Sequence, residues 1–268
     1  MKKKFKLGVI GAGFMASSII KGVIGAKNVL PGEIIVSDIS EDSLNKIKQL
    51  GVTTSLDSLE VCNNSEYVIF AVKPQNFSTV AETIAGCECV NFVSIMAGVK
   101  KERIKQLLGG VKVARCMPNT PCSIGAGAVG LDVSDFDNEN DVRFIKTLLS
   151  SLATVILVEE DKLNAVTGVS GSAPAYFYLF LQGVVEAGVK NGLTYEEAKS
   201  LATATMIGAG KMIQNNPEKS LEELINAVCS KGGTTIEAVK VYKENNLSFI
   251  TERAIDACVK RSVELENL

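Results

Sequence analysis

Hydrophobic positions follow two different rhythms along this chain, and the rhythm changes near residue 158. Before that point, short apolar runs of strand length alternate with amphipathic helical stretches. Residues 7–10 and 33–36 are the first two strands. Residues 67–72, 92–96 and 111–116 are further β-rich runs, each followed by a loop marked by Gly or Pro. One helix runs from Met15 to about Gly25. Another opens at Ser40-Glu41-Asp42, whose acids suit the positive end of a helix dipole. Such alternation predicts a mostly parallel, doubly wound sheet with helices on both faces, and residues 128–131 and 155–158 add edge strands.

Beyond residue 158 the period becomes helical throughout. Three helix starts carry a Ser/Thr-x-x-Glu capping box: Thr194 with Glu197, Ser220 with Glu223, and Thr234 with Glu237. A further start is expected at Ser248. Residues 173–191 form a long helix, apolar on nearly all sides through Phe177, Leu179, Phe180, Leu181, Val184 and Val185. A helix of that kind is buried, and in a small domain it needs a second chain to cover it. The domains predicted are therefore 1–158, α/β, and 159–268, all-helical and dimerising.

Composition narrows the chemistry. Aromatics are 6% with no Trp, and net charge is -2, so a stacking platform or a basic face for nucleic acid is not expected. The Lys2-Lys3-Lys4 run reads as a solvated tail before the first strand. No apolar run reaches the roughly 18 residues of a membrane span, so no membrane partner and a cytoplasmic location are expected. The seven cysteines are odd in number, and Cys87 and Cys89 are too close together for a zinc pair. With no His in the chain, free thiols and no metal are the expectation.

Gly11-Ala12-Gly13-Phe14-Met15-Ala16 fits G-x-G-x-x-G/A between a strand and a helix, the context a dinucleotide fingerprint requires. Gly11 permits the tight turn, Gly13 lets a pyrophosphate approach the backbone, and Ala16 keeps the helix close to the sheet. Asp38, at the expected end of the second strand, suits a ribose 2′-hydroxyl and repels a 2′-phosphate, which favours NADH over NADPH. Ala71-Val72-Lys73-Pro74 closes the fourth strand, and Ser94-Ile95-Met96-Ala97-Gly98 closes the fifth on the same edge. Lys73 could reach phosphate or ribose, while Ala97 and Gly98 leave room for a nicotinamide. Arg115-Cys116-Met117-Pro118-Asn119-Thr120-Pro121 ends the sixth strand in a rigid turn. Near the C-terminus, Ser230-Lys231-Gly232-Gly233-Thr234-Thr235 places backbone N–H donors and hydroxyls before a helix, a cradle for a small carboxylate.

These motifs, with Ser170-Gly171-Ser172-Ala173-Pro174-Ala175-Tyr176, occur in an order and spacing that resembles the pyrroline-5-carboxylate reductase family across essentially the whole chain. The resemblance implies a Rossmann-like domain followed by a helical dimerisation domain, and reduction of 1-pyrroline-5-carboxylate to L-proline by NADH or NADPH. It also implies a homodimer and leaves larger rings of dimers open. By the same resemblance Thr235 hydrogen-bonds the ring nitrogen, and Ser230, Gly233, Thr234 and Thr235 cradle the carboxylate. Glu160 falls where the family places an acid near the bound amino acid. The chain departs from the family pattern at Lys231, where Pro is usual, at Ala173 in place of Gly, and at Ala227 in place of Asn.

The missing imidazole fits an imine better than a ketone. A ketone becomes an alkoxide and needs an acid. An iminium brings its own proton and accepts hydride to give a neutral amine. A β-hydroxyacid dehydrogenase shares the two-domain layout but resembles its relatives in a catalytic Lys on the long helix. Between Gly171 and Val189 this chain has no Lys. A nucleotide sensor on the same fold is the remaining alternative.

Overall fold

The computed structural model describes residues 3–266. Among them, eight strands form one sheet in the order β3-β2-β1-β4-β5-β6-β7-β8. The strands are β1 Phe5–Ile10, β2 Ile34–Ser37, β3 Thr53–Ser55, β4 Ser65–Phe70, β5 Asn91–Ser94, β6 Lys112–Pro118, β7 Gly127–Asp132 and β8 Ala153–Leu157. Every pairing is parallel except β6 with β7. The edges are β3 and β8, so β7 lies inside the sheet rather than at the expected edge. β3 is three residues of Ser and Thr and carries no apolar run that would mark it.

Both sheet faces are covered, as a parallel sheet requires. Alternation along the strands divides the core in two. Ile34, Val36, Tyr67, Ile69 and Val93 point to one layer. Ile35, Val68, Phe70 and Phe92 point to the other. In that second layer Phe70 stacks on Phe92 at 4.8 Å and meets Phe77 edge-on at 5.2 Å, arrangements that suit the aromatic quadrupole.

The chain divides into two compact units, the sheet body through Pro174 with a return from Cys258 onward, and a helical unit from Ala175 to Ala257. The sequence boundary at residue 158 lies before the break, because the segment from Glu160 to Gly171 packs with β6 and β7. Five long or capped helices carry the second half: Ala173–Lys190, Tyr195–Gln214, Leu221–Val228, Thr234–Glu244 and Leu247–Glu266. The capping boxes at Thr194 and Ser220 are formed, each hydroxyl accepting from the N–H of the Glu three residues on. The third is not formed. Gly233 is the N-cap, and Thr234 is already inside the helix. The expected start at Ser248 falls one residue late, since Leu247 opens the last helix.

In the single chain the long apolar helix is not buried. Phe177 is 57% exposed, Tyr178 63% and Leu179 72%. Of the N-terminal lysine run, Lys2 lies outside the described residues. Lys3 is no free tail: its Nζ donates to the Asn63 carbonyl at 2.7 Å and pairs with Glu88. Among the described residues, no helix is long and apolar enough to cross a membrane.

Candidate active site

The C-terminal ends of β1, β4 and β5 are stitched together. Ala71 N–H donates to the Ile10 carbonyl at 2.9 Å, and Ile95 N–H to the Phe70 carbonyl at 3.2 Å. On this edge Gly11 has φ +102, a left-handed backbone that a side chain rarely adopts. A Cβ there would also lie 2.6 Å from the Ala71 carbonyl oxygen. The turn therefore demands glycine twice over. Gly11 N–H is fixed by the Ser37 carbonyl at 2.7 Å.

Gly13 has a different reason. It is the N-cap of the helix Phe14–Gly25, with no side-chain cap and no acid in the first turn. A Cβ on Gly13 would meet nothing within 4 Å. The open space thus lies at an uncapped helix N-terminus, where N–H donors and the dipole favour an anion. This cradle fits a dinucleotide pyrophosphate. Phe14 and Met15 supply the first helical positions, with Phe14 65% exposed.

Asp38 is bound into the same turn. Its Oδ2 accepts from Ala12 N–H at 2.7 Å, and its Oδ1 from Ser40 N–H at 2.8 Å. Sequence spacing placed Asp38 at the ribose position but carried no sign that the carboxylate also braces the glycine loop. Ala71 and Val72 are half-buried, whereas Lys73 and Pro74 are exposed. Ala97 is half-buried on the β5 loop. Gly98 has φ +73 and is wedged against the final helix, where a Cβ would come 3.1 Å from the Leu265 backbone. These cofactor-position residues share one edge of the sheet body.

Behind that edge lies a buried ion network which the motifs did not reveal. Arg115 on β6 is 2% exposed. Its guanidinium donates to Glu266 at 2.9 Å and to Glu160 at 3.2 Å. The same Glu160 oxygen accepts from Lys101 N–H at 2.7 Å. Glu266 also pairs with Lys100 at 3.3 Å. Burial pushes the Glu266 carboxyl up, but hydrogen bonds from Asn164 and Arg115 outweigh it and hold the group below the ordinary carboxylate range. Glu160, the acid assigned to substrate by resemblance, thus belongs to the sheet body with one oxygen shared between Arg115 and Lys101. Asn119 is a second unforeseen organiser. Its Nδ2 donates to the Ser170 carbonyl at 3.2 Å and its Oδ1 accepts from Ala128 N–H at 3.0 Å, tying the rigid turn to the π-helical segment Thr167–Gly171.

In the helical unit, the loop after Leu221–Val228 has its own logic. Gly232 has φ +75. Gly233 N–H donates to the Ser230 carbonyl at 3.0 Å. A Cβ on Gly233 would lie 2.3 Å from Ser230 Oγ and 3.1 Å from the Ser230 carbonyl oxygen, so a side chain there would push the Ser230 hydroxyl aside. The helix Thr234–Glu244 follows with no side-chain cap. Ser230 and Thr234 are exposed and Thr235 is half-buried. The loop brings Ser230, Gly233, Thr234 and Thr235 together at a helix start with free donors, an arrangement that can hold a carboxylate.

A doubly wound sheet with a glycine fingerprint on its ligand edge, joined to a helical unit with an anion-ready loop, defines a dinucleotide-dependent oxidoreductase. Two family descriptions match. Residues 160–265 match pyrroline-5-carboxylate reductase dimerisation, and residues 6–98 match NADP oxidoreductase, coenzyme F420-dependent. The chain is 37% identical to the pyrroline-5-carboxylate reductase of Haemophilus influenzae over 97% of each chain. It is 35% identical to that of Synechocystis over 97% of this chain and 98% of the other. Among solved structures, a pyrroline-5-carboxylate reductase from Coxiella burnetii superposes with TM-score 0.90 at 34% identity, covering 99% of each chain. The Plasmodium falciparum pyrroline carboxylate reductase with NADP bound shares the fold at TM-score 0.87 and 24% identity, covering 99% of this chain and 100% of the other. This chain belongs to the pyrroline-5-carboxylate reductase family.

Proposed function

We propose that this chain reduces 1-pyrroline-5-carboxylate to L-proline with a nicotinamide cofactor, in the cytoplasm and as a homodimer. The observation that carries the reading is the Ser230–Thr235 cradle in a chain with no His. Gly11, Ala12, Gly13, Phe14 and Met15 would hold the pyrophosphate. Asp38 would take the adenosine ribose, and Ala71, Val72, Lys73, Pro74, Ala97 and Gly98 the strand-end side of the nicotinamide half. When bound, NAD(P)H supplies the hydride for the imine carbon.

The protein's own part is orientation and charge. The N–H groups of the cradle hold the substrate carboxylate. The Thr235 hydroxyl meets the ring nitrogen and fixes which ring face receives the hydride. No side chain donates a proton in that step, because the iminium arrives protonated. Of the substrate contacts, Glu160 is supported least by the geometry, since Arg115 and Lys101 N–H already share its Oε1.

Asp38 supports NADH over NADPH, because a carboxylate repels a 2′-phosphate. The exposed apolar helix supports a partner chain over the helical unit. An absorbance assay of NADH and NADPH oxidation with pyrroline-5-carboxylate, run beside a panel of hydroxyacids, tests the reaction. Turnover with the imine is expected, with NADH the better cofactor. Activity on hydroxyacids alone overturns the reading, and a tenfold higher kcat/KM with NADPH overturns the Asp38 argument. Sedimentation at micromolar concentration should give a dimer or a multiple of it, and a clean monomer would contradict the assembly.

A further inference from the structure

The loop after β5 is clamped from behind. Gly98 is buried, and the place where its Cβ would stand is filled by the last helix, 3.1 Å from the Leu265 carbonyl oxygen and 3.2 Å from the Leu265 Cβ. Its small size therefore seats that helix, while Ala97 beside it stays half-buried. The chain enters the loop through fixed backbone: Ile95 N–H donates to the Phe70 carbonyl at 3.2 Å, and Met96 N–H to Ser94 Oγ at 3.3 Å. It leaves through two acids. Lys100 Nζ pairs with Glu266 Oε2 at 3.3 Å. Lys101 opens the helix Lys101–Leu108, and its N–H donates to Glu160 Oε1 at 2.7 Å. Arg115 closes the ring, donating to Glu266 at 2.9 Å and to Glu160 at 3.2 Å. One turn back on the last helix, Ser262 Oγ donates to Asn164 Oδ1 at 2.6 Å and docks the same helix end.

We propose that Glu266 is a positioning residue for hydride transfer: by holding Arg115 with one oxygen and Lys100 with the other, it keeps Leu265 behind Gly98 and fixes the Ala97–Gly98 loop against which the nicotinamide lies. The inference rests on the reading of Ala97 and Gly98 given above as nicotinamide contacts. Glu266 touches no reacting atom in this scheme and acts through the backbone of the loop. The division of its two oxygens is informative. Arg115 is buried and needs carboxylates, but the Lys100 side chain is 53% exposed and water alone would satisfy it. Glu266, only 4% exposed, nonetheless holds that lysine, which stands two residues after Gly98.

Binding and chemistry draw on different parts of the edge. Affinity for the dinucleotide comes from the pyrophosphate cradle at Gly11–Met15 and the ribose acid Asp38, on the loops after β1 and β2. Hydride transfer depends instead on how closely the nicotinamide carbon approaches the imine carbon, and small displacements there are costly. A clamp behind the β5 loop therefore acts on kcat and leaves the grip on the cofactor's adenosine half alone. A network that merely stabilised the fold would lower Tm and leave the turnover of folded enzyme unchanged.

The test is the kinetics of full-length Glu266→Ala with pyrroline-5-carboxylate, using NADH and NADH deuterated at the transferred position. kcat should fall roughly 10- to 100-fold, the range for a misplaced reactant. The deuterium isotope effect on kcat should rise, while the dissociation constants of NADH and ADP-ribose hold. Glu266→Gln, which keeps an acceptor for Arg115, should recover part of the loss. Tyr67→Phe is the control: it deletes a hydrogen bond to Asp141 away from the clamp and should lower Tm without moving kcat or the isotope effect. If Glu266→Ala does not fold, Lys100→Met loosens the clamp from its exposed side and should lower kcat about threefold, the size an exposed pair can supply. Unchanged kcat and isotope effect, an equal loss in Tyr67→Phe, or a parallel loss of ADP-ribose affinity overturns the proposal. Failure of the reductase reading shows separately, as no imine turnover by the wild type. In that case the fluorescence of bound NADH decides: the same emission maximum in Glu266→Ala and wild type would overturn the clamp, and a shifted one would support it.

Discussion

The sheet body and the helical unit cover their apolar side chains in opposite ways. In the sheet body, strand after strand has side chains fully buried on both faces. In the described residues of the helical unit, Val185 and Ala198 are the buried hydrophobics, while Phe177, Leu179, Leu201 and Ile207 are each more than half exposed. The first region completes its core from its own chain. The second has the composition of a core without the cover. The lesson is that hydrophobic content alone does not locate a self-sufficient fold; what matters is whether the apolar faces find partners within the same chain.

Four substitutions or conditions test that contrast. The largest effect should come from Arg115→Met, which leaves Glu160 without its cation and Glu266 with the exposed Lys100 alone. A loss of about 3–5 kcal/mol in the sheet body is expected, read by urea unfolding, because a broken buried pair strands its partners. An unchanged midpoint would mean that the network is wet or redundant. Next, Thr235→Ala in the helical unit should lower kcat about 100-fold with no change in stability or in NAD(P)H affinity, the range for removing one positioned donor. Thr235→Ser should recover most of it. Unchanged turnover removes Thr235 from the mechanism.

Gly13→Val should weaken NAD(P)H binding about tenfold or more with little change in Tm, since a Cβ at this position meets no protein atom within 4 Å. A normal cofactor dissociation constant would break the fingerprint assignment. The smallest effect concerns acid. Glu266 is held below its ordinary value in the folded state, so its stabilisation is present above the unfolded carboxyl range near pH 4 and is lost as pH falls through the lower folded value. Glu266→Gln should flatten the acid limb of the sheet body's stability below about pH 4. A limb of the same steepness would assign the acid sensitivity to other carboxylates, with Asp135, also held low, the first to examine.

Local requirements were legible in the sequence, and long-range ones were not. The glycine fingerprint could be read because Gly11 and Gly13 answer to a turn and a helix start within the same few residues. The capping boxes at Thr194 and Ser220 were legible for the same reason. The third failed on a local detail: Gly232 in the left-handed region and Gly233 extended bring the helix start one residue forward, so Thr234 cannot cap it. β3 was invisible because three polar residues on an edge need no hydrophobic signal. β7 was misplaced because alternation says nothing of which strand lies beyond it. The wedge of Gly98 on Leu265, the Asp38 brace on Ala12 and the partners of Arg115 carry no spacing signal. Only the folded chain brings those residues together.

The Arg115–Glu266 pair spans 151 positions of sequence. On the ribosome, β6 emerges long before the turn that completes its charge balance, with the whole helical unit made in between. Until then Arg115 has Glu160 as its carboxylate partner, and the β5 loop lacks the backbone that backs Gly98. The sheet body is therefore finished last although it begins first, and its final closure is a non-local step of the kind that slows folding.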